Sequence, residues 1–370
     1  MWMFTAVPIL SNDRDWRRRS PRARPRTKLW SRIEASEMMP VVLLSDLHVD
    51  HSQNMSFVRE LCSQTRNEAI IVAGDISHNF NLVEETLKLL SSSYRRVFFV
   101  AGNHELWVQG SQRGAGTAPS SIAKLEELSS ICETYGVFDR PHRLDSVLVV
   151  PILSWYDLSL EVSASADLFE GFERWPWTDF RKCDWPSELE DEYPCLGNRY
   201  PSGVASSFEA KNDPMLEEAV EDMKEAETTS VLTYSHFLPG TFALPDWLKP
   251  ESDVFDPAWF NHPAPQLSAK FSRVAGSSSI ENQLRRLTPY ADEHLHCFGH
   301  SHRPKDFYRK GIRYVHHPLG KPKERKMFLS PVHPLTKTVF DQRGQQVSAP
   351  TCLRYWESMM KGSDPLIECK

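Results

Sequence analysis

The 370-residue sequence has no CxxC pair, no excess of positive charge and no apolar run approaching the ~20 residues that cross a bilayer. Each absence removes a class of protein. Seven cysteines (Cys62, Cys132, Cys183, Cys195, Cys297, Cys352 and Cys369) are scattered and odd in number, which argues against a fully paired disulfide framework. A reducing, intracellular and most simply cytoplasmic setting is expected. The net charge of −6 leaves no basic stripe for long nucleic acids and no polybasic membrane anchor. The longest apolar runs, such as 146–153, are strand-sized. There is no secretory apolar core and no internal repeat, and nothing in the sequence names a protein partner.

What is present is enough apolar side chain, 40% of the total, to fill a sizeable core. Residues 1–39 stand apart: Arg14, Arg17, Arg18, Arg19, Arg22, Arg24, Arg26 and Lys28 crowd a stretch broken by Pro21 and Pro25, a composition that resists folding. Asp13, Asp15, Glu34 and Glu37 spoil the acid-poor signature of a transit peptide, so a disordered extension is expected over organelle targeting.

From Pro40 short apolar runs alternate with helical patterns, the reading for an α/β domain, expected to extend over 40–330. Strands are expected at 41–44, 69–73 and 97–101, with helical stretches at 57–62 and 81–90 between them, a βαβαβ opening. Further along, helix is expected at 122–135, 215–225 and 280–290, and strand at 146–153, 230–234 and 295–298. A hairpin is expected over 307–315 around Lys310 and Gly311. The span 155–202, dense in Trp, Asp, Glu and Pro, reads as an irregular insertion, and 331–370 as a weakly patterned tail.

Five clusters recur just past the end of an apolar strand. They are Asp46-Leu47-His48, Gly74-Asp75, Gly102-Asn103-His104-Glu105, Ser235-His236 and Gly299-His300-Ser301-His302. Ligand sites in open α/β sheets gather at the carboxyl ends of strands, so these segments can converge. Carboxylate, imidazole and amide donors without clustered thiolates suit two divalent ions such as Mn, Fe, Zn or Mg. A pair ~3.5 to 4 Å apart, bridged by a carboxylate, can hold a hydroxide nucleophile and clamp a phosphoryl group in in-line displacement. Asp75 is the natural bridge, and His104, beside Asn103, is placed to assist the leaving group. The glycines at 74, 102 and 299 are expected to let the backbone turn sharply.

This ordered set of DxH, GD, GNHE, a lone His and GHxH resembles the calcineurin-like metallophosphoesterases over roughly 41–315. The resemblance implies Asp46, His48 and His302 on one metal, Asn103, His236 and His300 on the other, and Asp75 between them. Asp75, Asn103 and His104 would be the catalytic residues. It also implies a four-layer α/β fold, two mixed sheets flanked by helices. The arginines with which the Ser/Thr protein phosphatases grip phosphate have no counterpart in Gly74-Asp75-Ile76-Ser77-His78-Asn79-Phe80 or Ala101-Gly102, and the tyrosine ligand of purple acid phosphatases is missing as well. The expected function is hydrolysis of a small phosphomonoester or phosphodiester. The alternatives are a silent binding scaffold on this fold, disfavoured because every ligand position is filled, and a nuclease or nucleotide hydrolase of the same family.

Packing or capping is the expected role of His51, His78, His142, His262, His294, His296, His316, His317 and His333. The aromatic residues of 155–202 are expected to form a satellite core rather than a lid. The basic run 321–326 is expected to be a solvated turn.

Overall fold

A computed structural model describes residues 39–108, 120–161, 177–193, 198–225, 230–244, 271–328 and 335–347. The N-terminal extension, His262 and His333 lie outside them. The chain opens β1 (Val41–Leu44), α1 (Ser52–Leu61), β2 (Arg66–Ala73), α2 (Phe80–Ser93) and β3 (Tyr94–Val100), the expected βαβαβ unit. Asn79 starts α2 by accepting a hydrogen bond from the backbone N–H of Asn81 at 3.0 Å. After α3 (Ser121–Tyr135) come the hairpin β4 (His142–Leu144) and β5 (Val147–Pro151), then α4 (Asp179–Lys182) and a small ribbon of β6 (Asp191–Tyr193) and β7 (Asn198–Tyr200) within the insertion. There follow α5 (Ser202–Glu225), β8 (Ser230–Tyr234), α6 (Ser278–Leu287), β9 (Glu293–Phe298), β10 (Lys305–Arg309), β11 (Ile312–His316), α7 (Pro322–Phe328) and β12 (Lys337–Phe340).

Two mixed sheets result. One has the order β12-β1-β2-β3, parallel except for β12; the other has the order β10-β11-β9-β8-β5-β4, with antiparallel strands only at its two edges. Strand periodicity divides the apolar side chains cleanly. Val41, Leu43, Ala69, Ile71, Phe98 and Val100 of the first sheet pack with Val147, Val149, Leu232, Leu295 and Val315 of the second in one buried cluster. Their neighbours Val42, Leu44, Ile70, Val72, Val97 and Phe99 turn the other way, into a cluster with Val58, Leu61, Val83, Leu87, Leu90 and Leu128 of α1 to α3. Both faces being covered explains why these strands read as continuous apolar runs rather than alternating ones.

Three features depart from the sequence reading. Helix α5 starts thirteen residues before the expected 215, running through Pro214, an apparent breaker. Asn212, two residues before this proline, is buried and hydrogen-bonds both backbone groups of Leu153 (3.1 and 2.8 Å), so tertiary contacts sustain what propensity disfavours. Strand β4, only three residues long, has too short a pattern to register. β12, from the stretch read as a tail, pairs antiparallel with β1 and buries Val339 and Phe340 between the sheets. The hairpin between β10 and β11 is as expected: Lys310 (φ 47°) and Gly311 (φ 81°) both have positive φ, as a two-residue type I′ turn demands.

Phe340 is fully buried against β1, so Phe340→Ala is expected to cost about 3–5 kcal/mol of unfolding free energy. Urea denaturation checks this; a loss below ~1 kcal/mol would mean that β12 does not contribute to the core.

Candidate metal centre

All eight residues singled out in the sequence come together at the carboxyl ends of β1, β2, β3, β8 and β9. The strand exits are tied by ladder-like bonds that continue past the sheets: Asp46 N–H donates to Gly74 O (3.0 Å), His48 N–H to Asp75 O (2.9 Å) and Gly299 N–H to His236 O (2.9 Å). Asp46, His48, Asp75, His300 and His302 all adopt left-handed backbone conformations, with φ between 43° and 72°. Asp and His tolerate this region better than branched residues do, and strain of this kind collects at functional sites. It turns the side chains off the strand ends into a common space.

The glycines work differently from expectation. Gly74 does have positive φ (79°), but Gly102 and Gly299 do not; they are small because the site is crowded. A Cβ on Gly102 would stand 2.3 Å from Asp75 Oδ1, and one on Gly299 would stand 2.7 Å from Ala73 O.

Two groups of donor atoms form. In the first, His48 Nε2 lies 2.8 Å from His302 Nε2 and 3.8 Å from Asp75 Oδ2, and His302 Nε2 lies 3.5 Å from Asp46 Oδ1. In the second, His236 Nε2 lies 3.4 Å from Asp75 Oδ1, 3.2 Å from His300 Nδ1 and 3.2 Å from Asn103 Oδ1. Asp75 therefore offers one carboxylate oxygen to each group.

The hydrogen bonds on the outer side of the second group decide what faces inward. His236 Nδ1 donates to Ala73 O (2.9 Å), His300 Nε2 donates to Val274 O (2.9 Å), and Asn103 Nδ2 donates to Asp179 Oδ1 (2.8 Å). With those protons committed outward, the tautomers leave three lone pairs and a carboxylate oxygen pointed at one another. Such a convergence is repulsive unless a cation shares it, so this donor set fits a divalent metal. The first group is built alike, since His302 Nδ1 donates to Glu324 Oε2 at 2.9 Å.

Charge points the same way. Asp46, Asp75, Glu105 and Asp179 are buried, and among the described residues no lysine or arginine forms an ion pair with any of them. Burial, then the neighbouring Glu105 and Asp46 carboxylates, push the Asp75 carboxyl well above its ordinary range. A group that resists ionising in isolation is stabilised as an anion by an adjacent cation. Burial alone would raise Asp46 too, but the His302 charge and the His316 hydrogen bond hold it well below the usual range. Burial lowers His236 to about 4, and burial followed by the charge of His236 lowers His300, keeping both neutral as ligation requires.

Four supporting residues were not assigned from the sequence. Glu105 accepts from the backbone N–H groups of Gly102 (2.7 Å), Asp75 (3.0 Å) and Ser77 (3.0 Å), clasping two strand-end loops. His316, expected only to pack, holds Asp46 Oδ2 at 3.0 Å. Glu324 lies in the basic run expected to be a solvated turn; the run forms α7, and Glu324 faces His302. Asp179 comes from the insertion. Only Glu105 carried a sequence signal, its place in the GNHE block. By contrast His294 and His296 do pack as expected, hydrogen-bonded to Thr233 in the core. His104 lies at the rim with its ring stacked on Trp107 (centroids 3.7 Å apart) and its backbone N–H donating to Asp75 Oδ1 at 3.0 Å. His78, oriented by Asp50 at 3.1 Å, and Asp50 itself each bring a donor atom within 4.8 Å of one on His104.

Adding Mn²⁺ or Zn²⁺ to metal-free protein is expected to raise its melting temperature by several degrees, since a ligand at ~100 times its Kd adds about 2.7 kcal/mol. Glu324→Gln is expected to weaken metal binding by roughly 10–100-fold in calorimetric titration. Unchanged affinities would show that the Glu324 to His302 contact has no part in metal binding.

Comparisons with known proteins agree with this fold. The family model described as calcineurin-like phosphoesterase matches residues 39–304. The acyl-carrier-protein phosphodiesterase PptH of Mycobacterium tuberculosis is 28% identical over 138 residues, 35% of this chain and 41% of that protein, so the match spans well under half of the relative's length. The crystal structure of phosphopantetheinyl hydrolase PptH from the same organism superposes with a TM-score of 0.57 at 19% identity, covering 82% of this chain and 96% of that one, and has the same fold. A model that matches most of the chain, on a fold of two mixed sheets with the ligand motifs at their strand ends, makes the chain a member of the calcineurin-like phosphoesterase family, whose chemistry is the hydrolysis of phosphate esters.

Proposed function

We propose that this chain is a metal-dependent phosphodiesterase with a dinuclear centre. In this reading Asp46, His48, Asp75 and His302 hold one divalent cation, and Asp75, Asn103, His236 and His300 hold a second. The observation that carries it is the division of the Asp75 carboxylate between two groups of inward-facing lone pairs. When bound, two such cations supply an activated water at neutral pH and neutralise the phosphoryl oxygens. The protein residues do the rest: the outward hydrogen bonds to Ala73, Val274 and Glu324 fix the tautomers of His236, His300 and His302, and the bond to Asp179 fixes the direction of Asn103. His104, stacked on Trp107 beside Asp75, stands where it can donate to the leaving oxygen. Mn, Fe, Zn and Mg all accept this nitrogen and oxygen donor set.

A diester is favoured over a monoester on charge. A phosphodiester carries one negative charge where a monoester carries up to two, and the sequence lacks the paired arginines that grip a monoester dianion in the protein phosphatases. Lys321 is a cation whose field reaches His48, His104 and His302, consistent with one charge to balance. The relative's name, acyl-carrier-protein phosphodiesterase, adds a chemical class, a diester on a carrier protein, so a protein-borne substrate stands beside a small one in this reading. The domain expected over 40–330 is taken to extend through β12 to 340, because that strand belongs to the first sheet, with 1–39 as an extension.

Metal-stripped protein reconstituted with Mn²⁺ is expected to hydrolyse a bis-aryl phosphate faster than the matching aryl phosphate monoester, and Asp75→Asn to abolish both activities. His104→Ala is expected to lower kcat by 10²–10⁴, with the larger loss on esters of poor leaving groups. Two bound metals with silence on both substrates and on a phosphopantetheinylated carrier protein would favour the scaffold reading instead.

A further inference from the structure

We propose that Asp179, from the insertion, is a positioning residue that sets the second metal group through Asn103. This rests on the dinuclear reading above. Asp179 is 1% exposed, and its two oxygens accept three side-chain N–H groups: Oδ1 from Asn103 Nδ2 (2.8 Å) and from Trp107 Nε1 (2.6 Å), and Oδ2 from Trp177 Nε1 (2.6 Å). Each donor belongs to a different part of the centre. Asn103 presents its carbonyl oxygen to His236, Trp107 is the platform on which His104 stacks, and Trp177 stands edge-on to His300 with ring centroids 6.0 Å apart.

The amide of Asn103 has two ends that differ only in hydrogen-bonding sense, and only the oxygen can serve a cation. A carboxylate behind the nitrogen is the strongest available acceptor, so it removes the flipped state. A neutral amide at position 179 cannot do the same work. With one oxygen and one NH₂, it satisfies either the Asn103 and Trp107 donors or the Trp177 donor, and sets two N–H groups against each other at the remaining contact.

The base that carries Asp179 is held to the rest of the site. Val108 N–H donates to Lys182 O (2.6 Å), Ser121 N–H to Asp184 O (3.0 Å), and Asp184 N–H to Ser121 Oγ (2.9 Å), so α4 is stitched to the segment after His104 and to the start of α3. Cys183 N–H closes α4 onto Asp179 O at 2.8 Å. Trp155, Tyr156, Trp185 and Tyr200 of the same insertion are buried in the main core, which further limits its movement. The insertion thus reaches the metal groups with a fixed carboxylate.

The test is Mn²⁺ binding to the full-length protein, measured by equilibrium dialysis and by the spin coupling of a Mn²⁺ pair, on wild type, Asp179→Asn, Asn103→Ala and the double variant. Wild type is expected to bind two ions. Asp179→Asn is expected to weaken one of the two by roughly 10–100-fold and to lose the coupling at limiting metal, with the other ion and the circular dichroism unchanged. In the Asn103→Ala background the Asp179→Asn change is expected to add less than twofold, because its effect passes through Asn103. Additive losses, equal weakening of both ions, or two ions bound with wild-type affinity by Asp179→Asn would each overturn the proposal. Should Asp179→Asn fail to fold, Asp179→Glu takes its place: the charge is kept but its distance from Asn103 changes, and wild-type affinity for both ions there would also overturn the proposal. Failure of the wild type to bind two ions would instead count against the dinuclear reading itself.

Discussion

Asp75 lies buried between two groups of imidazoles with a carboxylate oxygen turned to each, and among the described residues no lysine or arginine forms an ion pair with it. Much of the surrounding architecture keeps this arrangement in place. Glu105 gathers the backbone amides of Gly102, Asp75 and Ser77, so the loops after β2 and β3 cannot separate. Gly102 leaves room for the Asp75 oxygen itself. The outward bonds of His236, His300, Asn103 and His302 commit one proton of each to an acceptor outside the centre, which turns their lone pairs inward. A cluster of like-charged and like-facing groups is costly to fold, and the left-handed backbone at five of its members adds to that cost. The two-sided burial of both sheets offsets it, and a bound cation would convert the repulsion into attraction.

The central strands and the residues that gather at their carboxyl ends were legible in the sequence because each carries a local signal. A strand buried on both faces is a continuous apolar run, and a strand that ends in a metal ligand is followed at once by Asp, His or Gly. The order of these blocks along the chain predicts their meeting, since parallel strands bring their carboxyl ends to one edge. The fold class followed from the same alternation. What escaped were residues whose role depends on distant partners. Asp179 and Glu324 each lie in segments of mixed polar composition, and no local pattern distinguishes a carboxylate aimed at a ligand from one aimed at water. His316 sits 270 residues from the Asp46 it supports. Helix α5 passed unseen across Pro214 because the contacts that sustain it, through Asn212, are tertiary.

The reading of the glycines is instructive in the same way. Glycine after a strand suggests a turn, and Gly74 does make one. At Gly102 and Gly299 the backbone is ordinary, and the missing side chain is what matters, because carboxylate, imidazole and carbonyl groups occupy the space. The unusual backbone belongs to the ligands instead. Aspartate and histidine therefore serve twice, as donors and as residues able to hold a left-handed turn.

The pairing of β12 with β1 has a consequence for how the molecule assembles. β1 delivers Asp46 and His48, yet its outer edge is covered by a strand emitted near the far end of the chain. During synthesis the strand that leads into Asp46 and His48 therefore keeps this edge open until β12, almost 300 residues later, has been made. Contacts of such long sequence separation are slow to form, and an open edge is a site for wrong pairing. The candidate metal centre inherits this delay: Asp46 and His48 acquire their final backbone support only when β12 arrives.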